Sequence, residues 1–245
     1  MAILSNHNGI KMFNLKSLIN ILNNLGIEIE GDDVAKLKLQ DDLCIDSQEV
    51  VELLADINEM QGIETRQIYI RRSDTLEDII EKVNCLSNHY DYSRTDTVII
   101  ACNVEDIKNA IWNVNKWEDL LSHIEKIDII CNNDIYQKFF MTVKNEKGLL
   151  KVQSNRVLVD KKIYFNQSIP PKYLSAHMGC WDFENKGENE TIVKLSHQWS
   201  ISDNAKEYLS DMVIEDIPQV IDDELRKHAE KTLSMWKGIF DATNN

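Results

Sequence analysis

The chain has 245 residues, of which 43% are hydrophobic and 28% are charged. This composition is typical of a water-soluble globular protein that can bury a core, and the length suits two domains better than one. Forty-one acidic residues against 27 basic ones give a net charge of −14, which disfavours nucleic acid and anionic membrane surfaces as partners and favours partners with basic patches.

The cysteines and the hydropathy pattern indicate where the protein works. The first residues lack the basic and apolar regions of a signal peptide, and no apolar run reaches the length of a transmembrane span. The odd number of cysteines and the lack of CxxC spacing argue for reduced thiols rather than disulfides or a zinc site. We therefore expect a cytoplasmic protein without a bound metal. The five cysteines are Cys44, Cys85, Cys102, Cys131 and Cys180.

The N-terminal third of the chain carries the 3.6-residue periodicity of amphipathic helices. Apolar stripes cover residues 15–25, 47–60 and 76–86, and Gly26 and Gly62 follow the first two stripes, as glycines do at helix C-termini. These patterns predict an all-α first domain.

The next stretch, residues 88–95, is polar and aperiodic, which is typical of a linker. We therefore place the first domain at residues 1–87 and the second at residues 96–245.

Strand-like alternation dominates the second domain. A short strand over 97–102 precedes helical segments over 104–114 and 117–124, and a long amphipathic helix over 217–242 ends the pattern. Between them lie strand segments separated by the turn-like sequences NN, NEKG, PP and NKGEN. These segments cover 127–133, 136–144, 149–159, 162–168, 177–184 and 191–202. The order predicts an α+β domain with a curved antiparallel sheet around the C-terminal helix.

A serine follows an aspartate at the start of the second predicted helix. Asp46 has the position of an N-cap, and Glu49 completes a capping box, so Ser47 can be explained as a small residue of the first turn. The surrounding sequence adds a second interpretation. LCIDS at 43–47, the VVELL that follows and the TLEDI at 75–79 resemble an acyl carrier protein, and the resemblance covers the whole first domain.

This resemblance implies a four-helix carrier domain whose Ser47 bears 4′-phosphopantetheine, attached by a phosphopantetheinyl transferase. A phosphodiester suits this place because unpaired N–H groups and the positive end of the dipole lie at a helix N-terminus. Cys44 stands where the family usually has glycine, and Gln48 where it usually has a leucine that partners contact. Nearby acids would form the docking surface for basic partner enzymes: Asp41, Asp42, Asp46, Glu49, Glu52 and Asp56.

Four segments of the second domain resemble the single-domain polyketide aromatase/cyclases, a family with the START-like helix-grip fold. They are NVNKWEDL at 113–120, SNR at 154–156 with Asp160 after it, GCWDF at 179–183, and TIV at 191–193 leading to His197. The resemblance implies an enzyme of type II polyketide (antibiotic) biosynthesis. It would guide aldol cyclisation and dehydration of a carrier-bound poly-β-keto thioester, alongside ketosynthase and other synthase enzymes.

Arg156 lies with Ser154 on an otherwise apolar face of the predicted strand 149–159. A buried, unpaired guanidinium is costly, so Arg156 either pairs with a helix carboxylate such as Glu224 or Glu230, or it binds the substrate. In the second case Arg156 would stabilise a developing oxyanion, and Ser154 would add a hydrogen bond. The resemblance also implies that the matched arginine and serine line the cavity and position the substrate.

His197 is a candidate acid or base for the dehydration, because its pKa lies near the working pH, although a lone histidine on an apolar face is often a satisfied core residue. His228 and Thr232, one turn apart on the last helix, would face the cavity, with a surface position of His228 as the alternative. Trp117 and Trp181 would wall the cavity and stack on flat products, and they are equally expected as core residues. Phe183 and Trp199 are two further candidate substrate-binding residues of these faces.

Two other functions fit the same residues. The second domain could be a non-catalytic holder of a hydrophobic ligand such as a lipid, a quinone or a polyketide. A holder has little need of a buried cation, so Arg156 beside Ser154 separates the two functions. The first domain could also be an inactive docking domain, which would require Ser47 to remain unmodified.

Overall fold

The computed structural model describes residues 12–31, 33–63, 68, 70–71, 73–86, 90–145, 148–209 and 216–243. Within these ranges the chain divides into two compact units, one ending at residue 86 and the other beginning at residue 90.

The N-terminal unit is helical in its described part. Its elements are α1 (Leu15–Asn24), a 3-10 helix (Val34–Lys36), α2 (Ser47–Gln61) and α3 (Leu76–Leu86). Gly62 ends α2 in the left-handed conformation that glycine adopts without strain. The three predicted helices are confirmed, and no fourth α-helix is present among the described residues of this unit. Apolar side chains from all three helices are fully buried, among them Leu18, Leu22, Leu53, Ile57, Ile79 and Val83.

The C-terminal unit is built on one curved antiparallel sheet in its described part. The strands are β1 (Tyr92–Ile100), β2 (Ile124–Asn132), β3 (Tyr136–Asn145), β4 (Gly148–Val159), β5 (Lys162–Ile169), β6 (Leu174–Gly187) and β7 (Glu190–Ile201). They lie in the order β1-β7-β6-β5-β4-β3-β2, so β1 and β2 form opposite edges of the sheet. The predicted sheet is therefore confirmed.

Five helical segments accompany the sheet in the described part of this unit. They are α4 (Val104–Trp112), a 3-10 helix (Val114–Lys116), α5 (Trp117–Leu120), α6 (Ala205–Tyr208) and α7 (Ile217–Thr243). The segment from α4 to α5 joins β1 to β2 and therefore crosses from one edge of the sheet to the other. Within the described ranges, no helix combines the length and the hydrophobicity needed to cross a bilayer.

The predicted linker, residues 88–95, is wrong at its C-terminal end, where Tyr92 begins β1. Tyr92 stacks on a tryptophan of β7, and Arg94 forms ion pairs with Asp96 and Asp222. The sequence pattern predicts a linker here because two of the residues that these side chains contact, Trp199 and Asp222, lie far away in the sequence. Residues 88 and 89 of the predicted linker lie outside the described part.

Most of the apolar core of the C-terminal unit lies between the sheet and α7. Ala229, Leu233 and Trp236 of α7 pack in a cluster with side chains of the strands and of α4 and α5. A smaller cluster joins Ile221 and Leu225 to the far end of the sheet. The predicted packing of the C-terminal helix against the sheet is confirmed.

Candidate active site

A cavity lies between the sheet and α7. Its inner chamber encloses about 620 Å³, counted with the open space at its mouth, and is lined by side chains of α5, α7 and all strands from β2 to β7. An outer chamber of about 1450 Å³, also counted with the open space at its mouth, adjoins the inner one and shares lining residues with it, such as His123, Gln167 and His228. Among the described residues that line the inner chamber are four histidines and one arginine, and none is an aspartate or a glutamate.

Arg156, on β4, is the cation of the inner chamber. Its side chain is buried, and Nη2 donates a 2.7 Å hydrogen bond to the carbonyl oxygen of Ile111. The guanidinium carbon lies 5.0 Å from the ring centre of Trp112 and 4.9 Å from that of Trp117. These are favourable cation–π distances. Burial lowers the pKa of Arg156 to about 9, which leaves the group cationic at pH 7.

The rest of the Arg156 guanidinium is unsatisfied. Nε and Nη1 are buried without a hydrogen-bond partner, and no carboxylate of the described residues lies within 4.0 Å. The predicted alternative of an ion pair is therefore wrong, because Glu230 pairs with Arg226 on the exposed side of α7 and Glu224 is exposed in the wall of the outer chamber. Two nitrogens of this buried cation, Nε and Nη1, thus have no hydrogen-bond partner among the described residues.

Histidines of β6 and β7 form a hydrogen-bonded pair in the chamber wall. His177 Nε2 lies 3.0 Å from His197 Nδ1, and the two rings stack with their centres 5.1 Å apart. His177 Nδ1 lies 2.7 Å from Oε1 of Gln167 on β5. Burial lowers the pKa of His177 to about 3 and that of His197 well below its ordinary value, so both rings are neutral at pH 7.

A second pair of histidines lies nearer the outer chamber. The rings of His123 and His228 meet edge to face with their centres 5.7 Å apart, and His123 Nδ1 lies 3.2 Å from the sulfur of Met235. Burial lowers the pKa of His123 to about 4, and it also lowers that of His228. The described residues hold no group of three or more His, Cys, Asp or Glu side chains arranged for a metal ion.

One cross-strand row connects the arginine to the histidine pair. Arg156 of β4 lies opposite Phe165 of β5, which lies opposite Gly179 of β6, which lies opposite His197 of β7. Neighbouring strands are about 4.8 Å apart, so roughly 14 Å of sheet separates the two backbone positions. A Cβ at residue 179 would lie 2.1 Å from the carbonyl oxygen of Ser196 and 2.3 Å from the Phe165 ring, so only glycine allows this close approach.

Most predicted site residues line the inner chamber. Ser154 and Arg156 extend from β4, and His228 and Thr232 face the chamber from α7, where the Thr232 hydroxyl is buried without a partner. His197 and the two tryptophans Trp117 and Trp181 complete this group. The tryptophans also belong to the apolar core, so both of their predicted roles are compatible with their positions.

Two predicted cavity residues do not reach the chamber. Phe183 is buried in the main core cluster, and Trp199 belongs to the smaller cluster, where Tyr92 stacks on it. Both side chains point to the predicted face of the sheet. They lie too far along their strands, because each alternate residue moves about 6.6 Å from the chamber.

Sequence reasoning missed three polar residues of the inner chamber: His123, Gln167 and His177. His177 lies on the same predicted face as Trp181, so the alternation of β6 could have identified it. Nothing in the sequence pattern singles out Gln167 or His123.

In the N-terminal unit, Ser47 is the exposed first residue of α2. The side chain of Asp46 accepts hydrogen bonds from the N–H groups of Gln48 and Glu49, and Glu49 accepts one from the N–H of Asp46, which completes the predicted capping box. Cys44 adopts a left-handed conformation with φ +54°, which explains why glycine is usual at this position in the family it resembles.

Comparisons with known proteins support the fold of the C-terminal unit. No protein-family model matches the chain, and no curated protein does. Among solved structures, the di-domain ARO/CYC protein StfQ of the steffimycin biosynthetic pathway is 21% identical with a TM-score of 0.57, over 62% of this chain and 52% of StfQ. The di-domain ARO/CYC protein BexL of the BE-7585A pathway is also 21% identical with a TM-score of 0.53, over 60% and 49% of the two chains.

A third structure is the Zhui aromatase/cyclase from Streptomyces sp. R1128, which is 14% identical with a TM-score of 0.57, over 63% of this chain and 96% of Zhui. At these identities the similarity shows the fold alone, so the C-terminal unit has the predicted helix-grip fold. This chain spans about half the length of the two di-domain proteins.

Proposed function

We propose that the C-terminal unit is a polyketide aromatase/cyclase and that the N-terminal unit is an acyl carrier domain modified at Ser47. The substrate would be a poly-β-keto chain held as a thioester on a 4′-phosphopantetheine arm. The enzyme would guide a regiospecific aldol closure of a ring and the loss of water that aromatises it. The solved structures with the same fold include polyketide aromatase/cyclases, which supports this choice of chemistry.

The observation that carries the proposal is the unsatisfied guanidinium of Arg156. A fold gains nothing in stability from burying a cation with two unpaired nitrogens, because the cost of desolvation is not repaid by an ion pair. A ligand with carbonyl oxygens would satisfy those groups. Since an enolate or alkoxide oxygen would accept stronger hydrogen bonds than a ketone, the same contacts would favour the transition state of the aldol step.

The other polar residues of the chamber have matching roles. Ser154, two positions along β4 from Arg156, would donate a hydrogen bond to a second carbonyl of the chain. His197 would accept the proton of a methylene between two carbonyls and later protonate the leaving hydroxyl. Because no carboxylate of the described residues lines the inner chamber, a substrate that develops negative charge meets no repulsion from them.

Substitution of Arg156 tests the cyclase proposal. In a reconstituted synthase, Arg156→Ala should lower the yield of cyclised product by a factor on the order of 10²–10³, as for the loss of one oxyanion donor. Arg156→Lys should recover only part, because an ammonium group cannot reproduce the planar fork. Thermal unfolding of the same variants is the control. A variant that melts like the wild type and yields the same cyclised product would refute the proposal.

The carrier proposal rests on the position of Ser47. Its hydroxyl is exposed at the start of a 15-residue helix, beside acids that are exposed or half-buried, so a transferase with a basic surface could reach it. Partners would be that transferase, a ketosynthase and other synthase enzymes. After co-expression with a phosphopantetheinyl transferase, the intact wild type should gain the mass of one 4′-phosphopantetheine group. Ser47→Ala should gain none, while Ser17→Ala, in the first turn of α1, should be modified fully.

A non-catalytic ligand holder is the second candidate, and the size of the outer chamber favours it. The outer chamber is larger than the inner one when both are counted with their open space, and its wall is partly apolar. This candidate gains support if Arg156→Ala retains its fold and binds a flat polyketide as tightly as the wild type does, while the products of the synthase do not change.

A further inference from the structure

The hydrogen-bond chain from Gln167 to His197 fixes the position of every proton along it. The amide oxygen Oε1 of Gln167 can only accept, so the His177 Nδ1 that lies 2.7 Å away must carry a proton. A neutral imidazole carries one proton, so His177 Nε2 must be an acceptor. His197 Nδ1, 3.0 Å from it, must therefore be a donor. The lone pair of His197 is then on Nε2.

His197 Nε2 is free to react. It is buried and has no hydrogen-bond partner among the described residues, and the ring lines the inner chamber. The rings of His177 and His197 both contact Phe165 edge to face, at 5.9 and 5.6 Å between ring centres, so their orientation is fixed by packing as well. The geometry supplies an oriented lone pair on a buried ring of the chamber wall.

We propose, resting on the cyclase function proposed above, that Gln167 and His177 are positioning residues that hold His197 as a base at rest and share its proton after it reacts. A histidine that only fills the core would not need two polar residues bonded to it in a row. Here the ring of His177 can take up the positive charge that His197 gains, and the amide oxygen of Gln167 stabilises the protonated His177.

The proton balance of one aldol step is complete within this chain of groups. His197 Nε2 takes a proton from a substrate methylene, and the C–H electron pair becomes the enolate. The Nδ1 proton of His197 then moves to Nε2 of His177, whose ring becomes the imidazolium and donates through Nδ1 to Gln167. The enolate carbon bonds to a carbonyl carbon, whose oxygen becomes an alkoxide.

The return half of the cycle restores the resting state. Nε2–H of His197 protonates the alkoxide to a hydroxyl group, and His177 returns its proton to Nδ1 of His197. In the dehydration the same groups take a proton from carbon and give it to the departing hydroxyl group, which leaves as water. No oxidant, reductant or metal is needed.

The surroundings keep the pair neutral until substrate is present. Burial is the largest cause of the lowered pKa of His197, followed by the neighbouring His177 and His228. Arg94 on β1 also faces His197, and its own charge is paired with Asp96 and Asp222. No carboxylate of the described chain lines the chamber. An enolate bound at Arg156 would bring the negative charge that favours the protonated pair.

The resting protonation can be measured without substrate. In two-bond ¹⁵N–¹H correlation spectra of the full chain labelled with ¹⁵N-histidine, His177 and His197 should both be protonated at Nδ1 and unprotonated at Nε2 at pH 7. Gln167→Met, which removes the acceptor and keeps the length, should mix the tautomers of both rings. A protonated Nε2 on His197 in the wild type, as a reversed amide of Gln167 would produce, overturns the proposal.

Turnover then tests whether the pair acts as one unit. His197→Phe should lower cyclisation by a factor on the order of 10²–10⁴, the range of a general base. His177→Phe should lower it less, and the double variant should lose no more than His197→Phe alone. Losses that multiply in the double variant would show that the two histidines act independently and would refute the relay.

The two experiments separate this inference from the proposed function. If Arg156→Ala leaves cyclisation unchanged, the cyclase function fails, whatever the tautomers are. If Arg156 is required but the tautomers or the double variant disagree with expectation, the function stands and the relay fails. Thermal unfolding of each variant identifies losses of activity that come only from misfolding.

Discussion

Replacement of Arg156 by methionine should change stability very little, although it removes a buried charge. Burial lowers the pKa of Arg156 to about 9, and since one pKa unit corresponds to about 1.4 kcal/mol, the cost of burying the charge is roughly 5 kcal/mol. The hydrogen bond to the Ile111 carbonyl returns about 1.5–3 kcal/mol. The ring contacts with Trp112 and Trp117 return about 1–2 kcal/mol each. These terms nearly cancel.

We therefore expect the free energy of unfolding of Arg156→Met to lie within about 2 kcal/mol of the wild type, whereas breaking a buried ion pair costs about 3–5 kcal/mol. Arg94→Met is the matched control. Arg94 is bonded to Asp96 at 2.8 Å and to Asp222 at 2.7 Å, so its removal leaves two carboxylates without a partner. Because the Asp222 side chain is 35% exposed, we expect a loss of about 2–3 kcal/mol.

Tryptophan fluorescence during urea unfolding measures both variants. All five tryptophans belong to the C-terminal unit, so the signal reports on that unit alone. If Arg156→Met loses 3 kcal/mol or more while Arg94→Met loses less, Arg156 has a structural partner. The argument for an unsatisfied cation, and with it the proposed role in catalysis, would then be wrong.

Three further predictions concern stability. Gly179→Ala should lower the free energy of unfolding by about 1–3 kcal/mol, since a Cβ there would lie 2.3 Å from the Phe165 ring. A variant that melts at the same temperature as the wild type would contradict this prediction. Cys44→Gly should stabilise the N-terminal unit by about 0.5–1 kcal/mol, because glycine adopts the left-handed conformation of residue 44 without strain. Slower hydrogen exchange in α2 would confirm this prediction, and faster exchange would refute it. In the unfolded chain, histidines become protonated as the pH falls below 6.5. In the folded state, the pKa values of His123 and His177 are about 4 and 3, so both rings stay neutral until a much lower pH. Acidification from pH 7.5 to 5 should therefore remove roughly 2 kcal/mol per histidine in urea unfolding, and a flat profile would contradict the burial of these rings.

The sequence was sufficient to predict the elements because periodicity and turn residues are local signals. Alternation in the strand that holds Arg156 identified the face that lines the cavity. Alternation gives a face but no distance along the strand, which is why Phe183 and Trp199 were placed in the cavity and belong to the core instead.

The contacts that give the site its chemistry depend on register, which the sequence does not encode locally. His177 and His197 meet only because β6 pairs with β7 so that Gly179 lies opposite His197. The same limit applies to Arg94, whose partner Asp222 is 128 residues away. An ion pair between Arg156 and Glu224 or Glu230 was predicted from their charges, and this prediction is wrong because these glutamates point to the outer chamber or to solvent.

The contact between Phe165 and Gly179 sets the depth of the inner chamber. The ring lies across β6 where any other residue would place a Cβ, and it forms the floor between Arg156 and His197. A smaller side chain at 165 would lower this floor and admit a bulkier ring system without a change to any polar group. The thickness of the molecule that the chamber accepts is thus governed by two residues that carry no charge and donate no side-chain hydrogen bond.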